Sequence, residues 1–190
     1  MLEKGKETIY EEIRRIESMA NFYFLRQPVP RGDGEAIIRA SKLLTSHESC
    51  VVMWGDDIII GSTPVLKEMI AIYEKLQAPI FAVEEVEEDA VGMYGVIEGE
   101  EIEPNIYRVS HIVEKPSPKE APSRLAIVGR YIMTQAVLGE LERQEPIGGE
   151  IRFSHALRDA MAHGPVYAYR FSGTRYDCGN KLGWLKANIA

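Results

Sequence analysis

The sequence predicts an α/β fold, with a mixed, mostly parallel sheet flanked by helices. Helical and strand patterns alternate up to residue 86, the order expected when parallel strands are joined by crossover helices. A short apolar run at residues 51–54 ends in Gly55-Asp56-Asp57, as expected for a buried strand that delivers acidic groups to its carboxyl end. After residue 86 come short predicted strands and turns, followed by a longer strand at residues 125–133. No internal repeat or flexible linker divides the sequence, so we expect residues 1–190 to form a single domain.

The first two predicted elements rest on apolar spacing and aromatic content. Residues 2–18 are densely charged, and Ile9, Ile13 and Ile16 recur at helical spacing, which predicts an amphipathic helix with one buried stripe. Residues 21–25, which include three aromatic side chains, predict a short strand.

The next elements alternate between helix and strand. Two prolines and two glycines make residues 26–34 a loop, and the apolar side chains of residues 36–44 share one helical face. The strand at residues 51–54 follows. Ser62-Thr63-Pro64 then supplies cap residues and a first-turn proline for a third helix. Residues 80–86 predict another strand.

The second half is predicted to mix short strands with helices. The expected strands are residues 93–97, 107–109, 112–116, 125–133 and 166–171. The expected helices are residues 135–142, 151–162 and, at the end of the chain, 180–190. This mixed half is expected to pack on the parallel first half.

Composition narrows the function classes. The net charge is −7, whereas general nucleic-acid or membrane-surface binders present clustered basic faces, so those partners are not expected. Cys50 and Cys178 form no metal or redox motif, and no apolar run is long enough to span a bilayer. We expect a cytoplasmic protein that meets an anionic ligand through a metal, one or two basic side chains, or backbone amides.

Acidic residues after two predicted strands could hold a metal. Mg²⁺ prefers oxygen ligands and is held by one or two protein carboxylates, with phosphates and water completing its shell. Asp56 or Asp57, together with the distant Asp177, would suffice. The alternative is that Asp56-Asp57 is only a turn or helix-cap pair.

Three further segments could contact a ligand. Glu114-Lys115-Pro116 follows a short strand and offers a cation for a phosphate and a carboxylate for sugar hydroxyls, unless it is a solvated charge pair. Gly148-Gly149-Glu150 could let a ligand approach the backbone or could be a plain turn. Gly32-Asp33-Gly34 precedes a helix and could bring amides near a base or phosphate.

Taken together, these segments resemble the bacterial-type UTP-glucose-1-phosphate uridylyltransferases, also called UDP-glucose pyrophosphorylases. The matching segments run in family order through almost the whole chain. They are Phe24-Leu25-Arg26-Gln27, Gly32-Asp33-Gly34, Gly55-Asp56-Asp57, Ala82-Val83-Glu84-Glu85-Val86, Tyr94-Gly95-Val96, Val113-Glu114-Lys115-Pro116, Ala126-Ile127-Val128-Gly129-Arg130-Tyr131, Gly148-Gly149-Glu150-Ile151, Val166-Tyr167-Ala168-Tyr169-Arg170-Phe171, Tyr176-Asp177-Cys178-Gly179 and Lys181-Leu182-Gly183.

The resemblance implies a Rossmann-like nucleotidyltransferase (GT-A-like) fold and a role for each candidate residue. By this resemblance, Gln27 and Gly32 contact the uracil of UTP, and Asp56 and Asp177 hold the Mg²⁺ cofactor. The glucose is bound by Gly95, Glu114 and Glu150, and its phosphate by Lys115. The reaction it implies is attack of a glucose 1-phosphate oxygen on the α-phosphorus of UTP, giving UDP-glucose and pyrophosphate. The implied catalytic residues are Asp56, Lys115 and Asp177.

The chain also departs from the family pattern. The first βα units of the family, with a glycine-rich triphosphate loop, have no counterpart here, so we expect a truncated or naturally reduced relative. Glu35 stands where the family usually has His, His155 where it tends to have Asp, and Asn180 where Asp is common. The complete enzyme is expected to be a homo-oligomer, a dimer or tetramer. Two alternatives remain open: a related transferase with another sugar or base, prompted by Glu35 and Arg31, and a non-catalytic sugar-nucleotide-binding module.

Overall fold

The computed structural model describes residues 7–45 and 49–190, so the first residues of the predicted amino-terminal helix lie outside the described part. Six α-helices, one short 3-10 helix (Glu88–Met93) and eight strands are assigned within it, and the α-helices and strands are numbered in chain order. They are α1 (Glu7–Glu17), α2 (Asp33–Ser41), β1 (Cys50–Met53), β2 (Asp57–Ile60), α3 (Val65–Leu76), β3 (Ile80–Glu85), β4 (Gly95–Glu103), β5 (Ile106–Glu114), β6 (Leu125–Met133), α4 (Gln135–Arg143), α5 (Phe153–Ala160), β7 (Tyr167–Arg170), β8 (Thr174–Asp177) and α6 (Lys181–Ile189). None of these helices is long and apolar enough to cross a bilayer.

A six-stranded sheet in the order β1-β6-β3-β7-β5-β4 forms the centre of the fold. The mixed α/β class is confirmed, and β1, β3, β7 and β4 run in one direction while β6 and β5 run in the other. Direct parallel neighbours are nevertheless fewer than the sequence suggested. Strand β6 lies between β1 and β3 and is antiparallel to both, so among these six strands only β3 and β7 are adjacent and parallel.

Helices cover both faces of this sheet, and the alternation of β3 explains how. Phe81 and Val83 point to one face, where they pack with α2, α4 and α5. Ile80 and Ala82 point to the other face, where α3 packs through residues such as Met69. These first four side chains of β3 are fully buried, as expected for an apolar segment in a central strand.

The structure corrects several expected elements. Residues 21–25 form no strand; they are exposed, and no described strand pairs with them. The strands expected at 93–97, 107–109 and 112–116 are instead one long hairpin of β4 and β5. Helix α3 begins at Val65 with Pro64 as its N-cap, and no side chain caps it.

Two strands were not predicted from the sequence. β2 and β8 form a separate two-stranded antiparallel ribbon, in which Asp57 lies opposite Asp177. Ile58 and Ile60 are exposed in this ribbon, so the apolar run after the two aspartates is not a buried strand. The ribbon brings two acidic segments together that are far apart in the chain.

Candidate active site

The turn between β1 and β2 gives the two adjacent aspartates different environments. Asp57 is buried: its Oδ2 accepts a hydrogen bond from the Gly129 amide at 2.7 Å, and its Oδ1 accepts one from Arg175 Nε at 2.5 Å. Asp56 is exposed, and its carboxylate has no hydrogen-bond partner among residues 7–45 and 49–190. Asp56 is therefore the aspartate of this pair that is available to a ligand.

Asp177 approaches Asp56 because of the pairing between β2 and β8. The Cys178 amide donates to the Asp56 carbonyl oxygen at 2.7 Å, and the Gly179 amide donates to Asp177 Oδ1 at 2.9 Å. A Cβ atom built on Gly179 would lie 3.0 Å from Asp56 Oδ2 and 3.0 Å from Asp177 Oδ1. The two carboxylates thus converge on one small space that only glycine leaves open.

This pair of carboxylates fits a cation that also takes ligands from elsewhere. The described residues hold no group of three or more His, Cys, Asp and Glu side chains arranged for a metal ion. Mg²⁺ does not need such a group, because it keeps water and substrate phosphate as ligands beside one or two carboxylates. Oxygen atoms from Asp56 and Asp177 are the donor type that it prefers.

Two arginines hold the acidic turn in place. Arg130 Nη1 donates to the carbonyl oxygens of Trp54 at 3.1 Å and Gly129 at 2.7 Å, and its Nη2 donates to the Asp57 carbonyl oxygen. The Arg175 side chain is only 8% exposed and also pairs with Glu84 Oε1 at 2.6 Å. A buried charge of this kind is tolerated because it is paired and hydrogen-bonded.

The environment of Arg175 keeps it charged. Burial opposes its charge, but a hydrogen bond to the Tyr94 hydroxyl, together with the charge and hydrogen bond of Asp57, raises the pKa of Arg175 above its ordinary value. The guanidinium also lies 5.2 Å from the centroid of the Tyr94 ring. Arg175 therefore links β8 to β3 and to the segment that enters β4.

Two adjoining cavities lie beside this network. The inner cavity has a volume of about 280 Å³ and includes four predicted site residues: Asp56, Gly95, Glu114 and Asp177. The outer cavity has a volume of about 450 Å³ and is lined by Gly32, Asp33, Glu114, Lys115, Glu150, Arg152 and Ser154. Asp33, Glu114 and Ser154 line both cavities, so the two form one continuous cleft.

The start of β4 and the end of β5 form one wall of this cleft. Gly95 lies opposite Glu114, and a Cβ atom on Gly95 would be 3.3 Å from Glu114 Oε2 and from Ile127 Cδ1. The Lys115 amide donates to the Tyr94 carbonyl oxygen at 2.9 Å, and Lys115 has a φ of +49°. A left-handed conformation costs a non-glycine residue about 1–3 kcal/mol and persists only where the surrounding structure holds it.

The opposite wall joins the loop before α2 to the loop before α5. The Gly34 amide donates to the Ile151 carbonyl oxygen at 3.0 Å, and the Ile151 amide donates to the Arg31 carbonyl oxygen at 2.9 Å. Asp33 Oδ1 accepts a hydrogen bond from the Phe153 amide, at the first turn of α5. Gly32 has a φ of +88°, and a Cβ there would lie 2.4 Å from the Ile151 carbonyl oxygen, so this contact requires glycine.

Gln27 lies outside both cavities but is bonded to their rim. Its Nε2 donates to the Gly32 carbonyl oxygen at 3.0 Å and to Glu35 Oε2 at 2.7 Å. The hydrogen bond from Gln27, followed by those from Arg39, lowers the pKa of Glu35 below its ordinary value. Seven of the eight predicted site residues thus line the cleft, and the eighth, Gln27, is hydrogen-bonded to one of those seven, Gly32.

Several residues of the cleft were not predicted from the sequence. Arg175 and Arg130 fix the acidic turn, while Asp33, Tyr94 and Ser154 contribute to the cavity walls. A weak signal existed for Arg175, since it precedes Asp177 by two residues and alternate residues of a strand share a face. No local pattern marked this role of Arg130, because the two partners it holds in the acidic turn, Trp54 and Asp57, are more than seventy residues away in the chain.

Comparison with known proteins gives one consistent family. The family model described as Nucleotidyl transferase matches residues 1–189. A UTP–glucose-1-phosphate uridylyltransferase of Staphylococcus haemolyticus is 40% identical over 188 residues, which cover 98% of this chain and 65% of that protein. One of Pseudomonas aeruginosa is 40% identical over 185 residues, covering 96% of this chain and 66% of that protein. The chain therefore spans about 65% of the length of these relatives.

Solved structures of UDP-glucose pyrophosphorylases also match this chain. A crystal structure of a UDP-glucose pyrophosphorylase complexed with UDP-glucose matches with a TM-score of 0.91 at 37% identity, covering 98% of this chain and 72% of that one. A UTP-bound UGPase from Acinetobacter baumannii matches with a TM-score of 0.82 at 30% identity, covering 97% of this chain and 66% of that one.

Proposed function

Because the chain belongs to the nucleotidyl transferase family, we propose that it is part or all of a Mg²⁺-dependent uridylyltransferase that joins UTP and glucose 1-phosphate. The observation that carries this proposal is the convergence of Asp56 and Asp177 at one end of a cleft whose walls hold Gly95, Glu114 and Lys115. Support also comes from relatives named for this reaction that are 40% identical to the chain.

The proposed chemistry needs positioning and charge neutralisation, with no protein nucleophile. A phosphate oxygen of glucose 1-phosphate forms a bond to the α-phosphorus of UTP, and the bond from that phosphorus to the bridging oxygen of pyrophosphate breaks. A Mg²⁺ ion held by Asp56 and Asp177 would withdraw charge from the phosphate oxygens when bound.

The other residues have positioning roles in this proposal. Lys115 supplies a cation for the sugar phosphate, and Gly95 leaves space beside the Glu114 carboxylate for a sugar ring. Glu114 and Glu150 accept hydrogen bonds from sugar hydroxyls. Gln27 and Gly32 contact the uracil. We further propose a cytoplasmic location, a single domain over residues 1–190, and assembly of the complete enzyme into a dimer or tetramer.

Binding of UDP-glucose by the 190-residue chain tests this proposal. Calorimetry with Mg²⁺ should detect binding, and Asp56→Asn and Asp177→Asn should each weaken it at least about tenfold, as expected when a metal environment is damaged. Asp89→Asn, at an exposed position outside both cavities, is the matched control and should bind normally. Unchanged affinity in both cleft variants would show that the metal assignment is wrong.

A second candidate is a sugar-nucleotide-binding module without turnover. For residues 1–190 it is favoured by one observation, namely that they hold no counterpart of the family's glycine-rich triphosphate loop. Incubation of the 190-residue chain with UTP, glucose 1-phosphate and Mg²⁺, followed by measurement of pyrophosphate, separates the candidates. Pyrophosphate release supports the transferase, whereas UDP-glucose binding with no release supports either the module or a part of the transferase that needs further residues for turnover. Faster turnover with dTTP or GTP than with UTP would instead indicate a transferase for another base.

A further inference from the structure

The side-chain amide of Gln27 is held in one orientation by its neighbours. Its Nε2 donates hydrogen bonds to the Gly32 carbonyl oxygen at 3.0 Å and to Glu35 Oε2 at 2.7 Å. A primary amide has two N–H donors, so both are used and only the Oε1 acceptor is left for a ligand. Rotating the amide by half a turn would place Oε1 against a carbonyl oxygen and a carboxylate. That orientation is disfavoured because acceptors would then face acceptors.

Glu35 is itself fixed by the helix that carries it. Arg39, one turn further along α2, donates from Nε at 3.0 Å and from Nη2 at 2.7 Å to Glu35 Oε1. Both bonds are charge-assisted and end on the same carboxylate oxygen. Glu35 Oε2 therefore remains directed at Gln27, and a charged carboxylate can only accept hydrogen bonds.

The loop consequently offers a ligand a defined acceptor. Gln27 Oε1 is that acceptor, and the Gly32 amide beside it has no hydrogen-bond partner among residues 7–45 and 49–190. Uracil and thymine carry a hydrogen on ring nitrogen 3 and can donate to such an acceptor. Cytosine carries a lone pair on the same nitrogen, so a fixed Oε1 would repel it. An amide free to rotate would accommodate either base.

We propose that Glu35 is a positioning residue for base selection, which holds Gln27 so that the loop selects uracil or thymine over cytosine. This inference rests on the proposed function, in which a pyrimidine nucleotide contacts Gln27 and Gly32.

The test compares three sugar nucleotides on the complete 190-residue chain. Calorimetry with Mg²⁺ gives the affinities for UDP-glucose, CDP-glucose and dTDP-glucose. In Glu35→Met, which removes the acceptor and keeps a good helix former, the preference for UDP-glucose over CDP-glucose should fall at least about tenfold. The preference between UDP-glucose and dTDP-glucose should not change, because both bases carry the same ring N–H. A general loss of structure would weaken all three ligands together.

Conservative and control variants sharpen the result. Glu35→Gln should lower the preference less than Glu35→Met does, because its single side-chain oxygen can accept from Gln27 or from Arg39 but not from both, as the carboxylate does. Glu35→Ala should reproduce the fall and keeps α2 helical if the methionine variant folds poorly. Glu74→Met, at an exposed position of α3, should leave all preferences unchanged. If Glu35→Met and Glu35→Ala bind UDP-glucose with the native preference over CDP-glucose, the inference is overturned and the proposed function stands. If the native chain binds none of the three, both fail.

Discussion

Replacement of Arg175 by methionine should destabilise the protein by about 3–5 kcal/mol, the usual cost of removing one partner from a buried ion pair. The side chains of Arg175 and Asp57 are only 8% and 6% exposed. Without Arg175, the Asp57 carboxylate would be left charged and desolvated, with the backbone amide of Gly129 as its remaining hydrogen-bond donor. Glu84, which is 24% exposed, would recover some hydration and adds less to the cost. For a chain of this size the loss corresponds to a fall of roughly 10 °C in the melting temperature.

Urea unfolding followed by circular dichroism measures this loss. Arg124→Met is the matched control, because its ion pair with Glu85 joins side chains that are 50% and 44% exposed, and surface pairs contribute about 0–1 kcal/mol. Arg175→Lys, which keeps a charge and loses the forked geometry, should fall between the two. If Arg175→Met unfolds within about 1 kcal/mol of the native protein, the idea that this pair holds the acidic turn is wrong.

Three further predictions concern metal binding, pH and association. Gly179→Ala should weaken Mn²⁺ binding at least about tenfold in electron paramagnetic resonance titrations, because the new methyl group would enter the space between Asp56 and Asp177. Burial raises the pKa of Tyr169 to about 12, whereas a tyrosine in the unfolded chain ionises near pH 10. Between about pH 10 and 12 the folded protein therefore holds a proton that the unfolded chain has lost, so the free energy of unfolding should fall as the pH rises through this range. Tyr169→Phe should reduce that fall. An apolar groove is lined by Ile13, Ile16, Phe22 and Phe24, and Phe24 is 94% exposed. Such a surface predicts self-association, which the double variant Ile13→Lys/Phe24→Ser should reduce in sedimentation experiments. Sedimentation of the native chain as a monomer at all concentrations would contradict this prediction.

The sequence predicted elements best where one strong local pattern determined them. β6 was found at its observed bounds because nine nearly continuous apolar residues suit a strand buried on both faces. Its place between β1 and β3 could not be predicted, since chain order does not specify lateral order in a sheet. Residues 21–25 have strand-like composition but are exposed, which illustrates that β propensity is expressed only when a neighbouring strand supplies hydrogen bonds.

For the cleft, the sequence identified ligand-type residues but could not divide their roles. The family resemblance is confirmed by the relatives and by the matching structures. The choice between Asp56 and Asp57 depends on Arg175, which is 118 residues away from Asp57 in the chain. Such a contact leaves no trace in local periodicity. The individual roles of Gln27, Lys115 and Glu150 stay predictions until binding is measured.

The separation of Asp56 from Asp57 explains why two adjacent aspartates serve this turn better than one. Asp57 is committed to Arg175 and Gly129, and these bonds fix the turn before any ligand arrives. Asp56 is then exposed on a rigid backbone, and the Cys178 amide bonded to its carbonyl oxygen keeps Asp177 close at the same time. A site assembled in this way loses little further conformational freedom when a cation binds, which is the advantage of a preorganised site. Loss of Asp57 should therefore weaken cation binding although its own carboxylate contacts no cation, and Asp57→Asn measured beside Asp56→Asn would reveal that dependence.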